Sequence, residues 1–306
     1  MRVVLLTSIR RGLASRCLTS LCDNRAIQVV GVVFARRAST DRWKLAKRKI
    51  AKTVRIGVLG AVNGIRMRSW YAERDATDIF AVCAALNVPI GEVDAVNGDG
   101  TKRILRQASA DLGLSLGNSY LGESVFKIPK HGMINVHTEI LPRFQGAQSI
   151  IWPIFEGVDE TGFTIHQISK QLDGGAILYR RKHRIRFWPT LKETVVRNLT
   201  TVRSEIPAAL VHVCENYAKL RAQAGPPLQG RSYTTPTIAE FARMVKNNRA
   251  LYRASAGAPI GLPATDAVSA GPVSAGPVSA GPPLDPHAER ESDRLHHAGV
   301  GVDPRI

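Results

Sequence analysis

The chain has 306 residues, of which 44% are hydrophobic and 22% charged, so it is long enough to bury a sizeable core. Its formal net charge of +17 predicts a negatively charged partner, such as a nucleic acid, an anionic membrane surface or a phosphorylated substrate. Four scattered cysteines exclude a disulfide scaffold and indicate a reduced, cytoplasmic compartment. No apolar run reaches the roughly 18–20 residues that a membrane-spanning helix needs.

Apolar runs alternate with segments of helical spacing in the first half of the chain. The run that begins at Arg2 is too short for a secretory signal, so we interpret it as the first strand. The alternation predicts a right-handed α/β fold, a mostly parallel sheet flanked by helices. The predicted strands are residues 2–7, 27–34, 89–93, 112–116 and 132–136, and the predicted helices are residues 12–24, 77–86 and 101–110.

A basic segment interrupts this alternation between about residues 36 and 71. Residues 1–60 hold 14 basic and 2 acidic side chains, so most of the net charge is local. Trp43, Ile50 and Val54 lie among the lysines and arginines, which predicts an amphipathic helix. Two interpretations stay open. The helix contacts phosphates or an anionic membrane face through residues 41–55, or it is a solvated face beside an ordinary core segment.

The pattern becomes helical from Leu191 onward. Capping-box spacings of Thr and Glu at positions 190 and 193, and again at 237 and 240, predict helices near residues 191–220 and 238–248. Residues 268–282 then repeat VSAGP three times. Because such a segment has nothing to bury, we predict a disordered tail over residues 254–306. The expected organisation is an α/β domain over residues 1–189, a helical extension over 190–253 and this tail.

Three polar side chains suggest where chemistry takes place. Asn135 and His137 end a predicted strand two residues apart and so share a face, and Asp173 precedes two glycines. When an amine attacks a formyl carbon, negative charge develops on the formyl oxygen. Asn supplies an N–H donor to that oxygen, His supplies a second donor or a positive charge, and a carboxylate orients the His. On spacing alone, a structural histidine is the commoner explanation of such a pattern.

The order of the motifs adds a resemblance to a known family. The segments GMINVH (residues 132–137), TGFTIH (161–166) and LDGGAIL (172–178), together with Leu141, Pro142 and Gly146, resemble the formyltransferases that use 10-formyltetrahydrofolate. The resemblance covers about residues 100–185 well and the first strands loosely. It implies a Rossmann-like fold, a catalytic domain over residues 1–189, no metal, and catalytic positions at Asn135, His137 and Asp173.

The same resemblance implies where the folate donor binds. Its pocket is expected beside the strand that ends near residue 116 and the loop that leads to Asp173. Glycines there would let the backbone approach a flat pterin ring. The donor-binding residues expected from the resemblance are Leu116, Gly117, Asn118, Tyr120, Leu121, Leu141, Pro142, Gln171 and Leu172.

Two residues depart from the family pattern and a third needs weighing. Glu139 replaces a small serine, and its interpretations are an acceptor contact, a surface residue or a helix-capping partner. Gly174 stands where the family has a threonine. His166 is either a support of the catalytic residues or a buried core histidine.

The acceptor is the least constrained part of the prediction. Helices and a tail stand where methionyl-tRNA formyltransferases carry a β-barrel, whereas amino-sugar formyltransferases have short, variable C-terminal parts. We therefore expect formyl transfer to a primary amine of a small, amino-sugar-like acceptor, linked to a nucleotide or a lipid. The alternatives are a methionyl-tRNA formyltransferase-like enzyme that binds tRNA through the basic segment, and a non-catalytic folate- or nucleic-acid-binding protein. The expected location is the cytoplasm, with peripheral membrane contact as an option.

Overall fold

The computed structural model describes residues 1–36, 42–73, 75–146, 148–225 and 230–256. The strands within these ranges are β1 (Arg2–Thr7), β2 (Gln28–Ala35), β3 (Ile90–Val93), β4 (Leu112–Ser115), β5 (Met133–His137), β6 (Gln145–Gly146), β7 (Glu160–Gln167), β8 (Ile177–Arg184) and β9 (Ser232–Tyr233). In this described part, seven of them form a sheet in the order β3-β2-β1-β4-β5-β7-β8. The first five are parallel, whereas β7 runs antiparallel to both of its neighbours. The two-residue strands β6 and β9 pair separately.

Helices connect and cover the strands. They are α1 (Leu13–Cys22), α2 (Arg42–Met67), α3 (Ile79–Ala85), α4 (Asp99–Ala108), α5 (Glu123–Phe126), α6 (Ile151–Glu156), α7 (Leu191–Glu215), α8 (Tyr217–Gln223) and α9 (Ile238–Ala256). Both N-caps form as predicted, since Thr190 and Thr237 accept hydrogen bonds from the backbone N–H groups of Glu193 and Glu240. Glu240 completes a capping box by accepting from the Thr237 backbone N–H, whereas the Glu193 carboxylate accepts from the Thr190 hydroxyl. None of the described helices is long and apolar enough to cross a membrane.

Alternate side chains of the central strands enter two different cores. Val3 and Leu5 of β1 pack with α1 and the second half of α7, whereas Val4 and Leu6 face the side covered by α4 and α5. This alternation follows from the two-residue period of a strand and explains why β1 is apolar throughout. A third cluster joins the end of α2, the loop before α6 and the helices α7 and α9.

The predicted α/β architecture is confirmed, and each of the five predicted strands is present within about two residues. Strands β7 and β8 are not among those predicted from the sequence. The helix predicted over residues 191–220 is interrupted at Asn216, which separates α7 from α8. The tail was predicted from residue 254, but α9 continues to Ala256, and residues 257–306 lie outside the described residues.

Candidate active site

The carboxyl ends of β1, β4 and β5 meet at one edge of the sheet, which is where parallel sheets bind ligands. Asn118 connects two of these ends. Its Nδ2 donates to the Leu6 carbonyl (2.5 Å) and lies 3.0 Å from Ser115 Oγ, while its Oδ1 accepts from Ser8 Oγ (2.9 Å). The carboxamide is therefore fully used in holding the strand ends together.

The antiparallel register of β5 and β7 brings a second histidine to this edge. Asn135 pairs with His166, and His137 pairs with Thr164. Asn135 Nδ2 lies 3.4 Å from His166 Nε2, so the carboxamide and the imidazole face each other across the two strands. His166 is thus both buried and part of the site, which combines the two interpretations of the sequence analysis.

Asp173 lies between the two histidines. Its Oδ2 is 3.8 Å from His137 Nδ1, and its Oδ1 is 3.8 Å from His166 Nε2. The residue adopts a left-handed backbone conformation (φ 50°), and Oδ2 accepts a hydrogen bond from the Gly146 backbone N–H (2.9 Å). The three residues predicted as catalytic are therefore brought together. Gly146 is an additional partner, which the sequence analysis used only as part of a motif.

Backbone carbonyls fix which ring nitrogens carry protons. His137 Nε2 donates to the Phe144 carbonyl (2.8 Å), and His166 Nδ1 donates to the Gln167 carbonyl (2.9 Å). Burial lowers the pKa of His166 more than the nearby Asp173 carboxylate raises it. A neutral His166 therefore accepts one N–H of Asn135, and the second N–H of that carboxamide is left for another acceptor.

Glu139 is buried and does not lie on the surface. Its Oε1 accepts from the Ile150 backbone N–H (2.5 Å) and from Thr161 Oγ1 (2.9 Å), and its Oε2 accepts from the Ile140 backbone N–H (3.2 Å). Ile150 is the N-cap residue of α6, so the helix-capping interpretation holds. The surface interpretation is wrong because the carboxylate is enclosed, and its oxygens are engaged by the protein instead of an acceptor.

The residues predicted to bind the donor divide into two groups. Leu116, Leu121 and Leu141 are buried and belong to the walls, whereas Tyr120, Gln171 and Leu172 are exposed. The two loops that carry the exposed residues touch, because Tyr120 Oη donates to the Lys170 carbonyl (3.4 Å). Gly117 has a positive φ of 80°. Pro142, preceded by a cis peptide bond, packs against Gly230.

A cavity of about 300 Å³ lies next to this region. Residues 167–169, at the start of the loop that leads to Asp173, form one of its walls, and the others come from Gly175, Ala176 and the end of α8. Among the described residues, no group of three or more His, Cys, Asp or Glu side chains is arranged to hold a metal ion.

Comparison with known proteins finds its similarity in the part of the chain that contains this site. Residues 100–211, which include Asn135, His137 and Asp173, match the formyl transferase family model. The chain is 39% identical over 150 residues to the methionyl-tRNA formyltransferase of Thermosynechococcus vestitus, which is 48% of this chain and 45% of that one. It is 30% identical over 130 residues to the methionyl-tRNA formyltransferase of Chlorobium chlorochromatii, or 42% and 41% of the two chains. The chain thus spans less than half the length of these curated relatives.

Among solved structures, this chain is similar to the phosphoribosylglycinamide formyltransferase from Anaplasma phagocytophilum. The similarity covers 71% of this chain and 88% of that one. The two sequences are 18% identical, and the TM-score is 0.48.

We predict that Glu139 makes stability depend on pH. Burial raises the pKa of Glu139 from 4.5 to about 7. The folded chain therefore binds this proton more tightly than the unfolded chain, so the free energy of unfolding falls as the pH rises from 4.5 to about 7 and then levels off. The fall attributable to Glu139 is about 3 kcal/mol. Urea titrations of wild type and Glu139→Gln across this range measure it, because the variant lacks the titration. The half-exposed Glu160→Gln is the control, and equal pH dependence of all three proteins would contradict the prediction.

We predict that replacement by alanine destabilises the protein much more at Gly175 than at Gly174. A Cβ at Gly175 would lie 1.7 Å from the Gln167 carbonyl oxygen, so Gly175→Ala must displace the loop that carries Asp173. A Cβ at Gly174 would meet only the side chain of Gln171, which is exposed and can move away. We expect Gly175→Ala to cost about 1–3 kcal/mol in urea unfolding and Gly174→Ala much less. Equal losses in the two variants would show that the close approach at Gly175 is unimportant.

Proposed function

We propose that the chain, which matches the formyl transferase family model over residues 100–211, is a member of that family and transfers a formyl group from 10-formyltetrahydrofolate to a primary amine. The observation that carries the proposal is the convergence of Asn135, His137 and Asp173 inside the matched segment. The donor supplies a formyl carbon that is open to attack by an amine. An attacked formyl carbon needs a hydrogen-bond donor at its oxygen and a base for the amine proton, and Asn135 and Asp173 offer these, with His137 facing the base.

Each side chain has a separate task in this proposal. Asn135 directs one N–H at His166 and offers the other to the formyl oxygen. His137 is oriented by the Phe144 carbonyl, and a proton on its Nδ1 would be held opposite Asp173 Oδ2. The Asp173 carboxylate accepts the proton that the amine must lose, directly or through water.

The residues present fit a flat folate ring. Tyr120 and Leu172 are large apolar side chains exposed on two adjoining loops, and a ring placed between them would cover both. Leu116, Leu121 and Leu141 would form the apolar wall behind the ring. Asn118 would position the loop and not contact the ligand, since both ends of its carboxamide are engaged.

For the acceptor, we favour a small amino-sugar-like amine. A buried acceptor atom supports an amine ligand: Gln148 Oε1 has no hydrogen-bond partner among the described residues. Gln148 lies between Gly146, which contacts Asp173, and Ile150, which contacts Glu139. An unpaired buried carbonyl oxygen costs about 1–3 kcal/mol, and an amine N–H would offset that cost.

A second candidate acceptor is methionyl-tRNA. The curated relatives described above carry that activity in their names, and the strongly basic α2 would suit the phosphates of an RNA. The family match, however, covers residues 100–211, which hold the catalytic side chains and not α2.

We predict that the three catalytic positions are individually required. Asn135→Ala, His137→Ala and Asp173→Ala should each lower kcat/KM for formyl transfer at least about 100-fold, because Asn135 donates to the formyl oxygen, Asp173 accepts the amine proton and His137 faces the Asp173 carboxylate. Calorimetry with a non-reactive analogue of 10-formyltetrahydrofolate should show binding retained in all three. His131→Gln, at an exposed histidine, is the control. Undiminished transfer in any triad variant would place the reaction elsewhere, and analogue binding without transfer to any amine would favour a non-catalytic folate-binding protein.

We predict that the acceptor is small. Purified full-length protein with 10-formyltetrahydrofolate should formylate an amino sugar linked to a nucleoside diphosphate or a lipid, and methionyl-tRNA should be formylated at least about tenfold less efficiently. Replacing Lys47, Lys49 and Lys52 by Gln should leave turnover of the soluble nucleotide-linked acceptor unchanged. Efficient formylation of methionyl-tRNA that falls in this charge variant and weakens with salt would support the tRNA candidate instead.

A further inference from the structure

Helix α2 presents an unusual apolar surface to solvent. Among the described residues, it carries seven large apolar side chains that are 59–79% exposed. They are Trp43, Ile50, Val54, Val58, Leu59, Val62 and Ile65. Scattered exposed apolar residues are normal, but seven on one helix are a concentration that indicates a contact surface.

This surface lies away from the side that α2 packs on the protein body. Ile56 is buried, and at 100° per residue it lies about 160° around the helix from Val54. Farther along, Gly60 and Gly64 approach Pro236 and Thr235 closely, which leaves the other side of the helix uncovered. The protein body therefore packs against a different side of α2 from the one that carries the exposed apolar side chains.

Positive charge accompanies the apolar side chains. The 26 residues of α2 include eight lysines and arginines and no acidic residue. Among the residues that the structure describes, no carboxylate forms an ion pair with the exposed Lys47, Lys49, Lys52 or Arg55. Partial burial lowers the pKa of Lys52, and the charges of Arg68 and Arg55 lower it further. These four side chains thus carry positive charge that no described carboxylate balances.

Three kinds of partner can be weighed against these two properties. A second copy of α2 would cover the apolar side chains but would bring like charges together. A nucleic acid would satisfy the charges but would leave the aliphatic side chains of Ile50, Val54 and Leu59 in water. An anionic lipid surface satisfies both, because apolar side chains insert at the level of the headgroups while lysines and arginines meet the lipid phosphates.

We propose that α2 docks the protein onto anionic membrane surfaces, with the helix lying in the plane of the interface. Gly57 breaks the helical geometry in the middle of α2 (φ 73°), so the exposed apolar side chains lie on two successive helical segments, residues 43–54 and 58–65. The proposal rests on α2 alone and does not depend on formyl transfer.

The test is vesicle flotation of the full-length protein. Vesicles are made of phosphatidylcholine alone or of phosphatidylcholine mixed with phosphatidylglycerol. An apolar variant carries Ile50→Gln, Val54→Gln and Leu59→Gln, and its control carries Gln at the exposed positions Thr200, Thr201 and Ala208 of α7. A charge variant carries Gln at Lys47, Lys49 and Lys52, and its control carries Gln at the exposed Lys130, Lys219 and Lys246.

Wild type and both controls should float with the anionic vesicles and not with the neutral ones. Each α2 variant should partition at least about tenfold less, and high salt should weaken wild-type binding. Fluorescence gives a second readout, since Trp43 is highly exposed while Trp70 and Trp152 are buried. Anionic vesicles should shift wild-type emission to the blue, and Trp43→Phe should abolish most of the shift.

Three alternative outcomes would overturn the proposal. No binding to anionic vesicles, combined with RNA binding lost only in the charge variant, would assign α2 to a nucleic acid. Concentration-dependent dimers in sedimentation, lost only in the apolar variant, would assign the surface to a second copy of the chain. Vesicle binding that is equal in wild type and both α2 variants would place membrane contact elsewhere on the protein.

Discussion

The Asp173 carboxylate is the contact on which the candidate site depends. It joins chain segments that are distant in sequence, because it faces His137 on β5, His166 on β7 and the Gly146 backbone N–H. Both histidines already donate one ring proton to a backbone carbonyl, so only their remaining nitrogens face the carboxylate. The backbone carbonyls therefore fix the orientation of both imidazole rings. To place Asp173 beside these rings, the loop of residues 168–176 must pass close to β7, and it can do so because Gly175 has no side chain.

Glu139 stabilises the loop at the same edge of the sheet through hydrogen bonds, although burial disfavours its charged form. Its carboxylate gathers the N-cap N–H of α6 and the hydroxyl of Thr161, so it fixes the loop between β5 and α6. Thr164 adds to this arrangement by donating to the Glu139 carbonyl and accepting from the Leu141 N–H. Burial opposes the charged form and outweighs these hydrogen bonds, which is why the pKa is raised. Glu139 thus stabilises the backbone of this loop.

The sequence predicted the parallel strands well because each is an apolar run whose two faces are both buried. It did not reveal β7, whose Thr161, Thr164 and His166 are buried polar residues that hide the apolar signal, or β8, whose Arg180, Lys182 and Arg184 suggest a loop. The positions that we expect to be catalytic were identified from the order of the motifs. The burial of Glu139 could not be predicted from the sequence, because carboxylates are rarely buried and two of its partners lie 11 and 22 residues away.

Helix α2 and the candidate site share one apolar cluster. Met67 at the end of α2 and Trp70 just after it are buried with Phe144, Ile150 and Tyr233. Phe144 supplies the carbonyl that orients His137, and Ile150 supplies the N–H that Glu139 accepts. Closely packed side chains transmit strain because protein interiors are hard to compress. The contacts that attach the end of α2 to the protein body therefore also position His137. A membrane-docked α2 would therefore hold the site at a fixed distance from the lipid surface, which suits an amine acceptor presented from that surface.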